Sequence, residues 1–396
     1  MTSIFSQIIT VIMMNLRSLP QRFWMSFAAT LAIAVVVAVL LSFLSMSNGF
    51  RKTLEGAGSD RTAIITRSGS KSELNSVLSN DVINIITTAP GIAKNDQGKP
   101  IYSAELYVVV DGIKRSTKTK ANIPLRGISK TGFALRDNIK ITAGRMFESG
   151  RNEIIAGESI QREFSGFALG KTVKLGKSTW TIVGVFSTGG SAFESELWAD
   201  ARTVQSQFRR GNSFQTVRVL LATPGHIDGL LKAVKDDPRL MLDVQTEADF
   251  FKEQGEALGG MVKLGWVLSI VMSLGALAGA LNTMYVSVAD REQEIATLRA
   301  IGFSNISAFF GTLVESLVLS LIGGIIGILA SYTFMDGLTT STLGGNFTQV
   351  SFSFSMSPAL FQNGIILALI IGLVGGFFPA LRAARLPVVL AFRGSV

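Results

Sequence analysis

The sequence predicts a membrane protein with four α-helical transmembrane spans and an α+β domain inserted between the first and second spans. Three observations predict it. Only 16% of the 396 residues are charged, against roughly 25% in an ordinary soluble chain. The charges are missing in blocks: residues 23–50 give 28 uncharged positions, 264–289 give 26 and 316–335 give 20, and the uncharged stretch 337–381 turns strongly apolar from Pro358. A bilayer core takes about 20 apolar residues as a helix. The remaining charge is concentrated, because residues 51–263 hold 30 of the 37 basic and 23 of the 28 acidic residues.

Residues 1–20 place Ile4, Ile8, Ile12, Leu16 and Leu19 at helical spacing, an amphipathic helix of the kind that lies in a membrane interface. Pro20 marks a bend, and the first span follows at 21–50. Its apolar run is too long for a signal-peptide core and no small-residue cleavage site follows, so it is expected to be retained as an anchor. The inserted domain, 51–250, carries β-branched or aromatic runs at 62–66, 104–110, 152–156, 171–175, 179–186 and 216–222, bounded by turn residues or charge. A central strand-rich piece covers about 100–215, and 225–236 reads as a helix between two strands.

From Glu247 to Ala289 no proline interrupts a helical pattern, so up to 43 residues can form one helix. That is about 65 Å of helix against about 30 Å of hydrocarbon. Residues 251–289 are therefore read as a stalk plus the second span, with Gly255, Gly259 and Gly260 as places for a break. A short cytoplasmic segment, 290–303, precedes the third span, 304–335. An external loop, 336–357, the fourth span, 358–381, and a tail, 382–396, complete the order.

Orientation follows from the flanks. Arg17 and Arg22 precede the first span, Arg291 and Arg299 lie between the second and third, and Arg382, Arg385 and Arg393 follow the fourth, while 336–357 has no Lys or Arg. Positive-inside bias puts both termini and 290–303 in the cytoplasm and 51–263 outside, across the cytoplasmic (inner) membrane. The inserted domain carries a net +7 of the chain's +9. Outside the cell this points to a solvated surface, or to attraction for anionic lipid or an acidic partner, and not to nucleic acid.

Several chemistries are excluded. With no cysteine and one histidine, His226, there is no basis for a Cys/His metal site or thiol catalysis. Glu194 and Glu196 are two apart and would share a strand face, but without a recognisable substrate pocket. The nearest approach to a phosphate loop is 166–172, one residue short of G-x-x-x-x-G-K-[ST] and followed by a strand pattern. No catalytic, cofactor or metal site is expected.

The segment from Asp290 to Gly302 is too short for a domain yet carries five charges. Ile295, Leu298 and Ile301 are helically spaced and Gly302 supplies a stop, which gives a short amphipathic helix whose charged face is open to a cytoplasmic protein. Glu315 lies within the third span. A carboxylate there must find a partner or be neutral; a structural hydrogen-bonding role is expected, with proton coupling as the alternative. Three glycine pairs at i,i+4, namely Gly275/Gly279, Gly323/Gly327 and Gly372/Gly376, permit close helix approach, either within one subunit or to a second copy.

The order R-E-x-E-I-x-x-L-R-A-I-G at 291–302, then Glu315 with Gly323, Gly324 and Gly327, resembles the MacB/FtsX-like ABC permeases. The C-terminal run from Gly376 through Pro379, Arg382, Arg385 and Pro387 to Leu390 and Arg393 is similar to that family's ending. Gly144-Arg-x-Phe147, 152–157 and 180–185 match it in the inserted domain. The resemblance covers essentially the whole chain and implies a non-catalytic permease subunit. It implies that Arg291, Glu292, Glu294, Leu298 and Arg299 contact a cytoplasmic ABC ATPase on another polypeptide, which holds the ATP and Mg, while Ile295 and Ile301 can instead face the membrane core. A second permease copy or similar permease and a periplasmic adaptor are further expected partners, with membrane lipid around the spans. Mechanotransmission from ATPase to external domain is the expected mechanism, and export of a hydrophobic compound, peptide or lipid-like molecule the leading function. The alternatives are lipoprotein or lipid extraction, regulation of a cell-wall hydrolase without transport, and a sensor without an ATPase.

Overall fold

The computed structural model describes residues 4–136, 138–256, 259–343 and 348–386, without the side chains of Arg22, Met25, Met261 and Val262. Pro387, Leu390 and Arg393 of the C-terminal motif lie outside the described residues. The chain starts with α1 (Ile4–Ser18), passes a 3-10 turn at Pro20 and enters α2 (Phe23–Glu55). Next come β1 (Thr62–Arg67), β2 (Leu78–Ser79), α3 (Asn80–Ile86), β3 (Tyr102–Lys114), β4 (Lys120–Ile128) and α4 (Lys130–Ala134). They are followed by β5 (Lys140–Gly144), β6 (Glu153–Gly157), α5 (Glu158–Glu163), β7 (Phe164–Ser165), β8 (Thr172–Leu175) and β9 (Ser178–Ser187). Then come β10 (Leu197–Asp200), α6 (Ala201–Gln207), β11 (Ser213–Phe214), β12 (Thr216–Leu220), α7 (Asp228–Asp236) and β13 (Leu242–Thr246). The chain continues with α8 (Glu247–Glu256), α9 (Gly259–Asp290), α10 (Glu292–Ala300), α11 (Asn305–Met335), the hairpin β14 (Thr339–Leu343) and β15 (Gln349–Ser353), and α12 (Pro358–Arg385).

These elements form two compact units. One comprises residues 1–48, 259–338 and 354–396; the other comprises 49–258 and 339–353. Among the described residues four helices are long and apolar enough to cross a membrane: Ser26–Glu55, Lys263–Asp290, Asn305–Met335 and Pro358–Arg385. Their core joins Val37, Leu40 and Leu41 of α2 to Ala276 of α9 and to Ala368 and Ile371 of α12. Glycine makes the close approaches possible. A Cβ on Gly323 would lie 2.6 Å from the Thr30 carbonyl oxygen and one on Gly327 2.5 Å from that of Ala34, both on α2. Across the α11–α12 contact, a Cβ on Gly376 would lie 2.5 Å from Ser316 Cβ.

Helix α1 is more than an interfacial anchor. Val11 and Asn15 are buried, and a Cβ on Gly311 of α11 would lie 2.6 Å from Val11 Cγ1. The face that packs on α11 is centred on these two residues, beside the predicted apolar stripe. Ile4, Phe5, Ile9 and Met13 stay exposed.

The second unit is built on one long sheet, in the order β13-β1-β12-β3-β4-β10-β6-β9-β5, with β7 on β3 and β8 on β9. Its pairs are antiparallel except β4 with β10 and β6 with β9. Strand alternation separates two faces. On one face, Leu106, Val108 and Val110 of β3 join Ile123, Trp180 and Phe164 in one core, while Val217 and Val219 of β12 join Ile65, Ile83 and Leu230 in another. On the opposite face, register aligns Ser103 with Arg218, Glu105 with Thr216 and Tyr107 with Arg126.

Strand β4 escapes the sequence reading because Pro124 and Arg126 interrupt its apolar run. Strand β10 pairs with β4 only from Leu125 onward, so Pro124 lies where β4 is an edge and a missing N–H is tolerated. The segment 336–357 is not a bare loop as read. It contains the β14–β15 hairpin, which belongs to the inserted domain's unit. Strand β14 is Thr/Ser-rich with no apolar alternation, and in β15 the alternation is confined to Val350 and Phe352 among polar residues, too short a pattern to stand out.

Candidate functional site

Helix α10 follows α9 after a one-residue turn. Its first turn carries Glu292 and Glu294 and its last turn Arg299, the arrangement that suits the helix dipole. Gly302, at φ +103°, ends it, and Ser304 then caps α11 by accepting from the Ser307 N–H at 3.2 Å. Ile295 and Ala296 are buried; Gln293, Glu294, Thr297 and Ala300 are exposed.

Arg291 is turned inward, so its guanidinium is not on the exposed face expected for an ATPase contact. Only 4% of the residue is exposed. Its Nη2 donates to Asn15 Oδ1 of α1 at 2.5 Å and its Nη1 pairs with Glu315 Oε2 of α11 at 3.4 Å. Its Nε donates to Glu294 Oε2 at 3.0 Å. Glu315 also accepts from Ser287 of α9 at 3.3 Å. The intramembrane carboxylate thus has a cation and a hydroxyl as partners, as a structural role requires. Gln7 of α1 adds a second tie, its Oε1 accepting from the Ser304 N–H at 3.1 Å. One guanidinium therefore joins α1, α10 and α11.

The other candidates divide. Glu292, Leu298 and Arg299 are half-buried, and Arg299 donates to the Leu386 carbonyl. Ile295 is buried and Ile301 is 69% exposed. Gly323/Gly327 and Gly372/Gly376 pack inside this chain, whereas a Cβ on Gly275 or Gly279 would meet nothing within 4 Å. His226 is exposed, with Nδ1 3.0 Å from the Pro224 carbonyl oxygen. The phosphate-loop near-match runs into strand β8.

Sequence reasoning missed a buried charge cluster in the inserted domain. Arg218, fully buried, pairs with Glu105 at 2.6 Å, Glu247 at 2.7 Å and Glu73 at 3.0 Å. Arg126 pairs with Glu73 at 2.6 Å, Glu196 at 2.7 Å and Glu105 at 3.1 Å. Arg136 pairs with Glu105 at 2.8 Å and lies over the Phe193 and Trp198 rings. Three guanidiniums thus meet four carboxylates. Burial would raise Glu73, but Arg126 and Arg218 outweigh it and hold the carboxyl at about 2, against an ordinary 4.5. Glu105 is lowered by the same opposition, burial against Arg136, Arg218 and Arg126.

Glu194 and Glu196 do not share a strand face. Glu194 lies in a 3-10 turn (Ala192–Ser195) and accepts from Ser187 Oγ and from the Thr188 and Gly190 N–H groups at 2.7–2.9 Å. Glu196 joins the cluster. The segments that lead toward the spans converge on this face of the sheet: Leu54 of α2 and Gln254 of α8 border the same small cavity as Glu73, Arg126 and Thr348. Glu247 opens α8. The hairpin is bonded there through Thr348 to Tyr107 at 3.0 Å and through the Ser351 N–H to Ser195 at 2.9 Å. Of the cluster's seven charged residues only Glu105 and Arg218 lie inside runs that read as strands, which is the one advance signal.

Comparison with known proteins fits this architecture. Residues 26–237 match the MacB-like periplasmic core domain and residues 266–388 the FtsX-like permease C-terminal domain. The chain belongs to the MacB/FtsX-like family of ABC-transporter permeases. It is 29% identical over 305 residues to the macrolide export ATP-binding/permease protein MacB of Pasteurella multocida, covering 72% of this chain and 45% of that protein. It is 26% identical over 284 residues to the ABC transporter permease YknZ of Bacillus subtilis, covering 66% and 68%. The crystal structure of the periplasmic region of MacB from Actinobacillus actinomycetemcomitans is similar at a TM-score of 0.37 and 18% identity, over 51% of this chain and 95% of that one. Against the MacB proteins of Pasteurella multocida and Paracoccus denitrificans, this MacB/FtsX-like chain spans 45% and 56% of their length.

Proposed function

We propose that this chain is the non-catalytic membrane subunit of an ABC exporter, with α10 seated in a cytoplasmic ATPase whose ATP and Mg lie outside these 396 residues. The observation that carries the reading is the anchoring of α10. A nine-residue helix that presents Gln293, Glu294 and Thr297 and is followed by an exposed Ile301, while Arg291 ties its start to α1 and α11, is built to pass a push into the bundle. An exposed isoleucine beside polar residues is an economical anchor for a groove on a partner.

In this reading the termini and α10 are cytoplasmic, the inserted domain is outside the inner membrane, and ATP-driven closure of the ATPase moves that domain. The charge cluster supports the same reading, since it stiffens the place where α2, α8 and the hairpin reach the sheet. Export of a cargo taken up outside the hydrocarbon core fits a chain with a large inserted domain. The test is copurification of the full chain with a candidate ABC ATPase. Ile301→Asp should abolish the association while leaving expression and melting unchanged. An ATPase fully retained by that variant would overturn the assignment of α10.

A further inference from the structure

The sheet face opposite the charge cluster carries a cleft of about 1030 Å³. This is at the upper end of the range for ligand sites, and such sites favour junctions between packed bodies. Here the junction lies between the two apolar cores. Tyr102 and Ala104 of β3 form the floor, α3 supplies Asn80 and Ile83, α6 supplies Arg202 and Gln205, and the turn after α6 supplies Arg209. Since Glu105 points the other way, into the charge cluster, the floor is backed by an ion-paired layer.

The lining has a definite chemistry. Lys130, Arg202 and Arg209 border the cleft, are exposed and have no ion-pair partner among the described residues. The one carboxylate among the described lining residues, Asp200, caps α6. Its Oδ2 accepts from the Thr203 N–H at 3.0 Å and Oγ1 at 2.8 Å, which leaves Oδ1 as an acceptor at the cleft wall. Asn80, Ser149, Ser206 and Asn212 add amide and hydroxyl groups, and Tyr102 and Phe214 give modest apolar area.

We propose that this cleft binds an acidic peptide segment in extended form, as the capture site for the cargo. Three cations select negative charge. The mixed amide and hydroxyl groups suit a backbone that repeats donors and acceptors. Asp200 accepts a peptide N–H but repels a phosphate headgroup, and an acyl chain or a macrolide would leave most of the polar lining without partners, which is costly. The site names a substrate class for the exporter proposed above and rests on that reading for the word cargo. Binding itself is measured without ATP or ATPase, so failure of the cleft and failure of coupling are seen separately.

The test is fluorescence anisotropy with the full chain in a neutral detergent. The probe is a labelled octapeptide of Asp, Glu, Ser and Gly; its counterpart has Lys at each acidic position. The acidic probe should bind at least tenfold more tightly than the basic one. Lys130→Glu with Arg202→Glu should weaken it at least tenfold, whereas Lys171→Glu with Lys174→Glu, exposed positions outside the cleft, should change it less than twofold. Equal binding of the two probes, equal loss in the two double variants, or full competition by phosphatidylglycerol vesicles would overturn the proposal. Tryptophan fluorescence and melting check that both double variants are folded.

Discussion

Replacing Arg218 by Met tests whether charge balance in the buried cluster holds the inserted domain together. Arg218 bonds Glu105, Glu247 and Glu73 at 2.6, 2.7 and 3.0 Å. Its loss leaves two guanidiniums against four carboxylates. Breaking a buried pair by removing one partner costs about 3–5 kcal/mol, a large share of the roughly 5–15 kcal/mol that stabilises a domain. Glu247→Gln acts in the opposite sense. It brings the cluster to three cations and three carboxylates and keeps a side-chain oxygen for Arg218 Nε, so it should cost about 1 kcal/mol.

Both variants are read by thermal unfolding of the full chain, followed by tryptophan fluorescence. Trp198 is a built-in reporter, its Nε1 donating to Glu196 at 2.7 Å. The pH dependence has a definite sign. In the native chain the depressed Glu73 contributes stability that is full above about 4.5 and is lost as pH falls toward about 2. In Arg218→Met, one cation fewer lets burial raise the Glu73 and Glu105 carboxyls above their native values, so the deficit at pH 7 should shrink as pH is lowered toward about 5. Equal losses in the two variants, or a deficit in Arg218→Met that grows on acidification, would refute the charge-balance argument.

The glycine contacts separate packing from open surface: Gly327→Val should lower the melting temperature, since overpacking costs about 1–3 kcal/mol, whereas Gly279→Ala should leave a single copy within about 0.5 kcal/mol. Glu315→Gln should preserve assembly and transport; loss of transport with normal assembly would favour proton coupling. Arg291→Glu should uncouple ATP hydrolysis from transport, and the exchange Arg291→Glu with Glu315→Arg should recover part of it, measured as transport per ATP hydrolysed. No recovery would mean that the pair is not what ties α10 to α11.

The spans were legible because lipid demands long uncharged runs, and their absence of charge is visible without any contact information. Strands β1, β3, β6, β8, β9, β12 and β13 were legible for a related reason, their β-branched or apolar runs. The rest depended on pairing. Arg126, Arg218 and Glu105 look like surface charges in sequence, and only the register of β3 with β4 and β12 brings them to one face. The hairpin was hidden because β14 is polar and β15 offers only Val350 and Phe352 among polar residues. Arg291 shows the same limit in the site itself: its motif marks α10, but only the packing of α1 and α11 shows that it points inward. Two of the three glycine pairs found intrasubunit partners for the same reason, which spacing alone leaves open.

In the proposed mechanism force enters at α10 and arrives in the inserted domain through α8 and the hairpin. Hydrogen exchange on the permease–ATPase complex, with and without ATP and vanadate, measures this directly. The account predicts that trapping changes exchange in α8 (Glu247–Glu256) and in β14–β15 of the native complex, with no change there when Ile301→Asp is incubated with the same ATPase and nucleotide. Unchanged exchange in both segments while nucleotide is trapped on the native complex would contradict it.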